Sequence, residues 1–315
     1  MNAIATPMET KTANAAWGEA REVKLSILIP FFLDDPSALA ASLNPMIGAR
    51  KDVEIVLFDD GTPSVGLNSD VARCVRALSA PARLVSSEVN LGRAGARNRL
   101  ARAARGQWLL YLDADMAPAG DAFLDAYLEA VESEGFDAAF GGFETDTPSE
   151  PAHRVHAALT RQSDEHDAAA RLRTGATAFC ASNMLVRAEV MQAIPFDEDF
   201  TGWGYEDVEW AVRADKAFTL THLDNAARHG GLESVEGLLR RFRAGAENYR
   251  RLLDKHPELA ALPGARAART MGATPFSGAL RGAFAGLARS HICPMRLRVM
   301  ALKLWRASWT AEALR

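Results

Sequence analysis

The chain has 315 residues, of which 48% are hydrophobic, 8% aromatic and 24% charged, and its formal net charge is -4. That length buries the core of one sizeable domain plus an appendage, and the charge balance argues against nucleic acid as a partner. The three cysteines, Cys74, Cys180 and Cys293, lack CxxC spacing and read as reduced, mostly buried thiols.

In chain order, residues 1–22 mix Ala, Thr, Asn, Glu and Lys without the apolar run that a secretory signal needs, so a loose N-terminal tail is expected. No uncharged apolar stretch is long enough to span a bilayer, which points to a cytoplasmic protein. LSILIP (25–30) and VEIVLF (53–58) are continuous apolar runs rich in β-branched residues and read as buried strands. Between them Asp35-Pro36 supplies an N-cap and first-turn proline for a helix running to residue 47. Helical spacing recurs over 70–78 and 92–104, with strands at 82–85 and at WLLYL (108–112). Phe123, Leu124, Tyr127, Leu128 and Val131 form one face of a helix over 121–134, which Gly135 ends. Strands alternating with helices predict an α/β sandwich around a mostly parallel sheet, with ligands bound beyond the carboxyl ends of the strands. Three clusters stand there: Pro30-Phe31, Asp59-Asp60-Gly61 and Asp113-Ala114-Asp115.

Two carboxylates on a sharp turn after a buried strand, as at Asp113 and Asp115, can share a divalent cation, Mg²⁺ or Mn²⁺, with a diphosphate. The pattern is common: Asp197-Glu198-Asp199 repeats it, but not after an apolar strand, so context selects the first. Asp59-Asp60-Gly61-Thr62 is either a surface turn or an acceptor for a base NH. In Asn90-Leu91-Gly92-Arg93-Ala94-Gly95-Ala96-Arg97-Asn98, Arg93 and Arg97 near a helix start can face a phosphate. Gly202-Trp203-Gly204-Tyr205-Glu206-Asp207 is the sharpest signal. Its aromatics suit the apolar faces of sugars, its glycines allow a mobile lid, and a carboxylate at the start of a helix over 207–217 can take a proton from a bound hydroxyl. The same carboxylates could simply cap that helix. His229 could complete a metal shell begun by Asp115, with His222 as its competitor.

LSILIPFF, VLFDDGT, NLGRAGARN, YLDAD, SNMLVRAEV and FDEDFTGWGYEDVEW, in this order, resemble the blocks of family 2 glycosyltransferases. The last block also resembles the acceptor-side motif of galactosyltransferase and N-acetylgalactosaminyltransferase relatives. The resemblance covers residues 25–231 and implies a GT-A fold, a nucleotide-diphosphate sugar donor and inversion at the anomeric carbon. By position it puts Pro30, Asp59 and Asp60 around the base, with Phe31 in the same loop; Phe31-Phe32 stands where the family carries an aromatic followed by asparagine. Asp113 would contact ribose or metal, Asp115 and His229 would ligate the metal, and Asn183 would sit near the donor sugar. Trp203, Gly204 and Glu206 would line the acceptor site and Asp207 would be the base, with Glu206 beside it.

Beyond the match, residues 233–253 read as one helix with Arg240, Arg241, Arg243, Arg250 and Arg251 outward, and Pro263-Gly264 and 272–278 read as linkers. These set expected boundaries of 1–22 for the tail, 23–232 for the catalytic domain and 233–315 for a helical extension. Over 281–315, basic residues from Arg281 to Arg315 face only one acid, Glu312, and are mixed with Phe284, Ile292, Leu297, Leu304, Trp305 and Trp309. Such a segment packs on its own protein or lies on the inner face of an anionic membrane. The acceptor expected is a glycan or glycolipid. Two competing functions are a sugar nucleotidyltransferase and a non-catalytic nucleotide-sugar-binding protein. The first usually carries a glycine-rich basic loop where this chain has Phe31-Phe32-Leu33-Asp34-Asp35; the second is opposed by intact Asp115, Glu206 and Asp207.

Overall fold

A computed structural model describes residues 8–133, 135–273 and 278–315. Residues 1–7 of the expected tail, Glu134 at the expected helix end and 274–277 of the expected linker lie outside these. The chain forms two compact units. The first comprises Met1–Glu144, His166–Glu198 and Asp207–Gly230, and the second Thr145–Glu165, Asp199–Glu206 and Gly231–Arg315. The last crossing between them, at Gly230 and Gly231, lies beside the expected boundary near residue 232, but 145–165 and 199–206 also belong to the second unit.

Eleven strands lie among the described residues of the first unit: β1 Glu9–Ala13, β2 Leu25–Phe31, β3 Val53–Asp59, β4 Ala82–Ser87, β5 Trp108–Leu112, β6 Met116–Pro118, β7 Ala138–Phe140, β8 Phe143–Glu144, β9 Asn183–Arg187, β10 Leu220–His222 and β11 Ala227–His229. The main sheet runs β1-β4-β3-β2-β5-β9-β7-β10, and β6-β11-β8 form a smaller one. β2 pairs in parallel with both β3 and β5, as the alternating pattern predicts. Both faces of these strands are buried, and this is why they read as unbroken apolar runs. Leu25, Ile27, Ile29, Ile55 and Leu57 pack with Leu39 and Leu43 of the helix Ser37–Ile47 on one face. Leu28, Val56 and Phe58 pack with Leu100 of the helix Gly92–Ala103 and Trp210 of the helix Glu206–Ala214 on the other. The sheet is mixed: β9 runs antiparallel between β5 and β7. This is the architecture that the resemblance implies.

The loose tail is corrected over its described part. ETKTA at β1 pairs antiparallel with β4, and the buried Trp17 ring carries the guanidinium groups of Arg83 at 4.1 Å and Arg105 at 3.7 Å. Two β-branched threonines in a polar pentapeptide suit an edge strand with one wet face, a pattern too weak to separate from a solvated tail.

The second unit is helical, with a core of Val155, Leu159, Leu238, Leu239, Phe242, Val299 and Leu302. The single helix expected over 233–253 is two, Val235–Ala244 and Ala246–Lys255, meeting at Gly245. A Cβ there would lie 2.8 Å from the Trp203 ring, so the glycine serves close approach. Pro263-Gly264 opens the helix Pro263–Ala273 and so is not a linker, and residues 272 and 273 of the other expected linker lie in the same helix. Arg298 donates to the Ala288 carbonyl, and Arg281 pairs with Glu312 and covers Trp309 at 3.8 Å. Much of the basic C-terminal segment thus holds its own unit together. No described helix is long and apolar enough to cross a membrane.

Candidate active site

The turn after β3 is built by its acids. Asp59, 1% exposed, accepts the Thr62 N–H at 2.9 Å. Asp60, 4% exposed, accepts the N–H groups of Leu91 at 2.6 Å and Gly92 at 3.0 Å, closing the start of the helix Gly92–Ala103 from a neighbouring loop. Burial pushes the Asp60 carboxyl up to about 6 against the pull of those two bonds. Gly61 has φ +75°, and a Cβ on it would meet the Val89 carbonyl carbon at 2.6 Å. Only glycine fits. Pro30 and Phe31 lie opposite Phe58 and Asp59 in the sheet, and the Phe31 carbonyl accepts the Asp60 N–H at 3.0 Å.

The turn after β5 is organised by ionic partners. Asp113 receives a 2.9 Å hydrogen bond from Arg97, whose side chain is 3% exposed. Arg97, expected at a phosphate, faces Asp113. Asp115 lies 3.5 Å from His229 Nε2. The smaller sheet makes this meeting: β11 pairs antiparallel with β6 so that His229 stands opposite Met116, and the Gly230 N–H bonds the Asp115 carbonyl at 2.8 Å. Burial would raise the Asp115 carboxyl, but the hydrogen bond and charge of His229, with Arg93 nearby, hold it below its ordinary value. A carboxylate oxygen beside an imidazole nitrogen suits Mn²⁺ or Mg²⁺. Among the described residues no group of three His, Cys, Asp or Glu gathers as ligands, and Asp113 does not join the pair. A cation here fits with two protein ligands, the rest coming from diphosphate and water. His222 is 6% exposed against Phe179 and Phe140, ring centroids at 4.9 and 6.0 Å. Burial and then Arg171 lower its pKa to about 4, so it is a core imidazole.

Asp207 accepts the Val208 N–H at 2.8 Å near the start of Glu206–Ala214. Cys180, which sequence reasoning passed over, joins the two carboxylate groups. Its thiol pKa is raised well above the ordinary value by burial first, then by the charges of Asp207 and Asp113. Asp113 and Asp207, from distant parts of the chain, are thus the acids whose charge bears on this thiol. No signal in the sequence pointed to it, since a lone cysteine after Phe179 reads as core. Asn183 is fully buried, accepts the Tyr127 hydroxyl at 2.7 Å, and donates to the carbonyls of Gly142 at 2.8 Å and Asn225 at 2.9 Å. Its amide thus locks two loops. The control triplet is structural in part: Glu198 accepts from Asn98 at 2.9 Å.

In the second unit, Gly202, Gly204 and Tyr205 all have positive φ, +80°, +86° and +75°. The Asn248 amide donates to the carbonyls of Thr201, Trp203 and Gly204 at 2.9, 3.3 and 3.1 Å. Trp203 packs tilted against Phe242, ring centroids 5.9 Å apart, and Arg306 donates to the Tyr205 hydroxyl. The glycines expected to give a mobile lid thus supply left-handed turns that Asn248 fastens. Glu206 is 2% exposed.

The profile of glycosyl transferase family 2 matches residues 26–194. A curated relative, the amylovoran biosynthesis glycosyltransferase AmsB of Erwinia amylovora, is 25% identical over 201 residues, which are 62% of this chain and 65% of the relative. The chain thus spans just under two thirds of that relative's length. Among solved structures, the mannosyltransferase PcManGT from Pyrobaculum calidifontis, in complex with GDP-Man and Mn²⁺, aligns with a TM-score of 0.57 at 16% identity, covering 92% of this chain and 87% of that one. Staphylococcus aureus TarS 1-349 in complex with UDP-GlcNAc gives 0.51 at 13% identity, over 93% and 90%. These likenesses show the fold. With more than half of its length inside the profile, the chain belongs to glycosyl transferase family 2 and is by family a glycosyltransferase.

Proposed function

We propose that this chain is an inverting, metal-assisted glycosyltransferase that moves a sugar from a nucleotide-diphosphate donor, with a UDP-sugar the first choice, to a hydroxyl of a glycan or glycolipid. The carrying observation is the meeting of Asp115 and His229, 3.5 Å apart, beside Asp113, which Arg97 holds at 2.9 Å. Nucleotide sugars bound by the two solved relatives support the donor class.

In this reading Asp115 and His229 hold the cation, which when bound neutralises the departing diphosphate. Arg93 adds positive charge beside Asp115. Arg97 holds Asp113 in one orientation toward ribose, and buried ion pairs of this kind fix geometry more than they add stability. Asp207 takes the acceptor proton, its carboxylate steadied by the Val208 N–H. Trp203 and Gly204 would line the acceptor, the Trp203 ring offering an aromatic face for a sugar, with the buried Glu206 in the same segment. Residues Pro30, Phe31, Asp59 and Asp60 shape the base end, and Asn183 keeps the loop at Gly142 in place for the donor sugar.

Asp207→Asn tests this. Donor binding should persist by titration calorimetry, while transfer of labelled sugar to a glycan and glycolipid extract should fall by about 10²–10⁴, as expected for loss of a general base. Transfer at the wild-type rate would remove Asp207 from the base role.

A further inference from the structure

In the second unit, the helices Arg281–Arg289 and Met295–Ala313 pack together as a hairpin. Every strongly exposed large apolar side chain among the described residues of this unit belongs to the hairpin or to the residue that opens it. Ile292, in the connecting loop, is 95% exposed, Leu297 is 55%, Met300 54% and Leu287 44%. All lie near the connecting loop. At 1.5 Å per helical residue, Leu287 and Leu297 stand about 3 Å from it and Met300 about 8 Å. At 100° per residue Leu297 and Met300 share one face of the second helix, and Arg296 and Lys303 border it on one side. Both basic residues are exposed, and neither has an ionic partner among the described residues. The other nearby charges differ: Arg281 is paired with Glu312 and Arg289 with Glu236.

We infer that the tip of this hairpin seats on an anionic phospholipid bilayer, with Ile292, Leu297, Met300 and Leu287 among the acyl chains and Arg296 and Lys303 at the headgroups. Apolar side chains held at a rigid tip with cations above them match the interfacial profile of a membrane, apolar inside and negative outside. Charge selects this occupant over a second copy of the chain. A two-fold pairing of the patch on itself would bring Arg296 and Lys303 of both copies together, and the one acid between residues 281 and 315, Glu312, is already paired with Arg281. The inference does not depend on the reaction proposed above.

Vesicle co-sedimentation of the full chain tests it. Phosphatidylcholine vesicles mixed with phosphatidylglycerol should retain the protein at least about tenfold better than phosphatidylcholine alone, and added salt should weaken retention. Ile292→Asp with Leu297→Asp should lose binding at least about tenfold, since two apolar anchors become charges of the wrong sign. Arg296→Ser with Lys303→Ser should remove the preference for anionic lipid. All four positions are exposed, and an unchanged melting temperature checks that each variant is folded. Equal retention by both vesicle types, or undiminished binding of the Asp variant, would overturn the inference. So would lipid-free dimerisation, measured by light scattering, that Ile292→Asp abolishes.

Discussion

The acidic turns after β3 and β5 look alike in sequence and are used differently. Asp59 and Asp60 are 1% and 4% exposed and turn their carboxylates onto backbone N–H groups of their own neighbourhood. Asp113 and Asp115 meet side chains instead, Arg97 and His229. A carboxylate spent on backbone donors builds a turn, whereas one set against a side chain keeps oxygen lone pairs that a ligand can share. The end of a buried strand locates both kinds without distinguishing them.

That contrast can be broken by substitution. The largest effect is expected at Asp115→Ala, which should weaken Mn²⁺-dependent binding of a nucleoside diphosphate about a hundredfold while leaving the melting temperature within a few degrees, because a cation ligand is lost. Equal affinity in variant and wild type would place the metal elsewhere. Gly61→Ala should instead destabilise the fold by about 3 kcal/mol in urea unfolding, from the left-handed φ and from the Cβ pressed against Val89. A neutral outcome would mean that the turn after β3 is softer than its contacts imply.

His222 sharpens the distinction between the two histidines. Its folded pKa, about 4, lies below its unfolded value, so the unfolded chain binds more protons between about 4 and 6.5. The neutral imidazole contributes stability above that window and loses it as pH falls, roughly 2 kcal/mol by pH 5. His222→Leu should therefore flatten the decline in melting temperature on acidification; an unchanged slope would deny its burial as a neutral group. The smallest effect belongs to Asp60→Ala, about 1 kcal/mol for a lost helix-start acceptor. A loss of nucleotide affinity exceeding that amount would give Asp60 a direct donor role.

The core of the fold was legible because strands buried on both faces are continuous apolar runs, as in LSILIP and WLLYL, and the helix expected over 121–134 carries a clear apolar face. Antiparallel β9 was not foreseen: NMLVR has an apolar centre flanked by Asn183 and Arg187, and nothing local encodes direction. Nor were the two chain segments that join the second unit, since 145–165 and 199–206 are assigned by long-range contacts. At the site, Asp115 and His229 were read as a pair, and the β6–β11 register brings them together. The basic helix start suggested phosphate for Arg97 and said nothing of Asp113, the acid that Arg97 meets. The lid expectation drew on Gly202 and Gly204 alone, and nothing near them announces Asn248, far along the chain, which fastens the carbonyls of Thr201, Trp203 and Gly204.

The central claim is that Asp115 and His229 together anchor a cation-bridged diphosphate. Titration calorimetry of a nucleoside diphosphate into the wild-type chain and His229→Ala, each with and without Mn²⁺, tests it most directly. Mn²⁺ should tighten binding to the wild type at least about tenfold and have little effect on His229→Ala. The same affinity with and without Mn²⁺ in the wild type, or the same Mn²⁺ effect in both proteins, would contradict it.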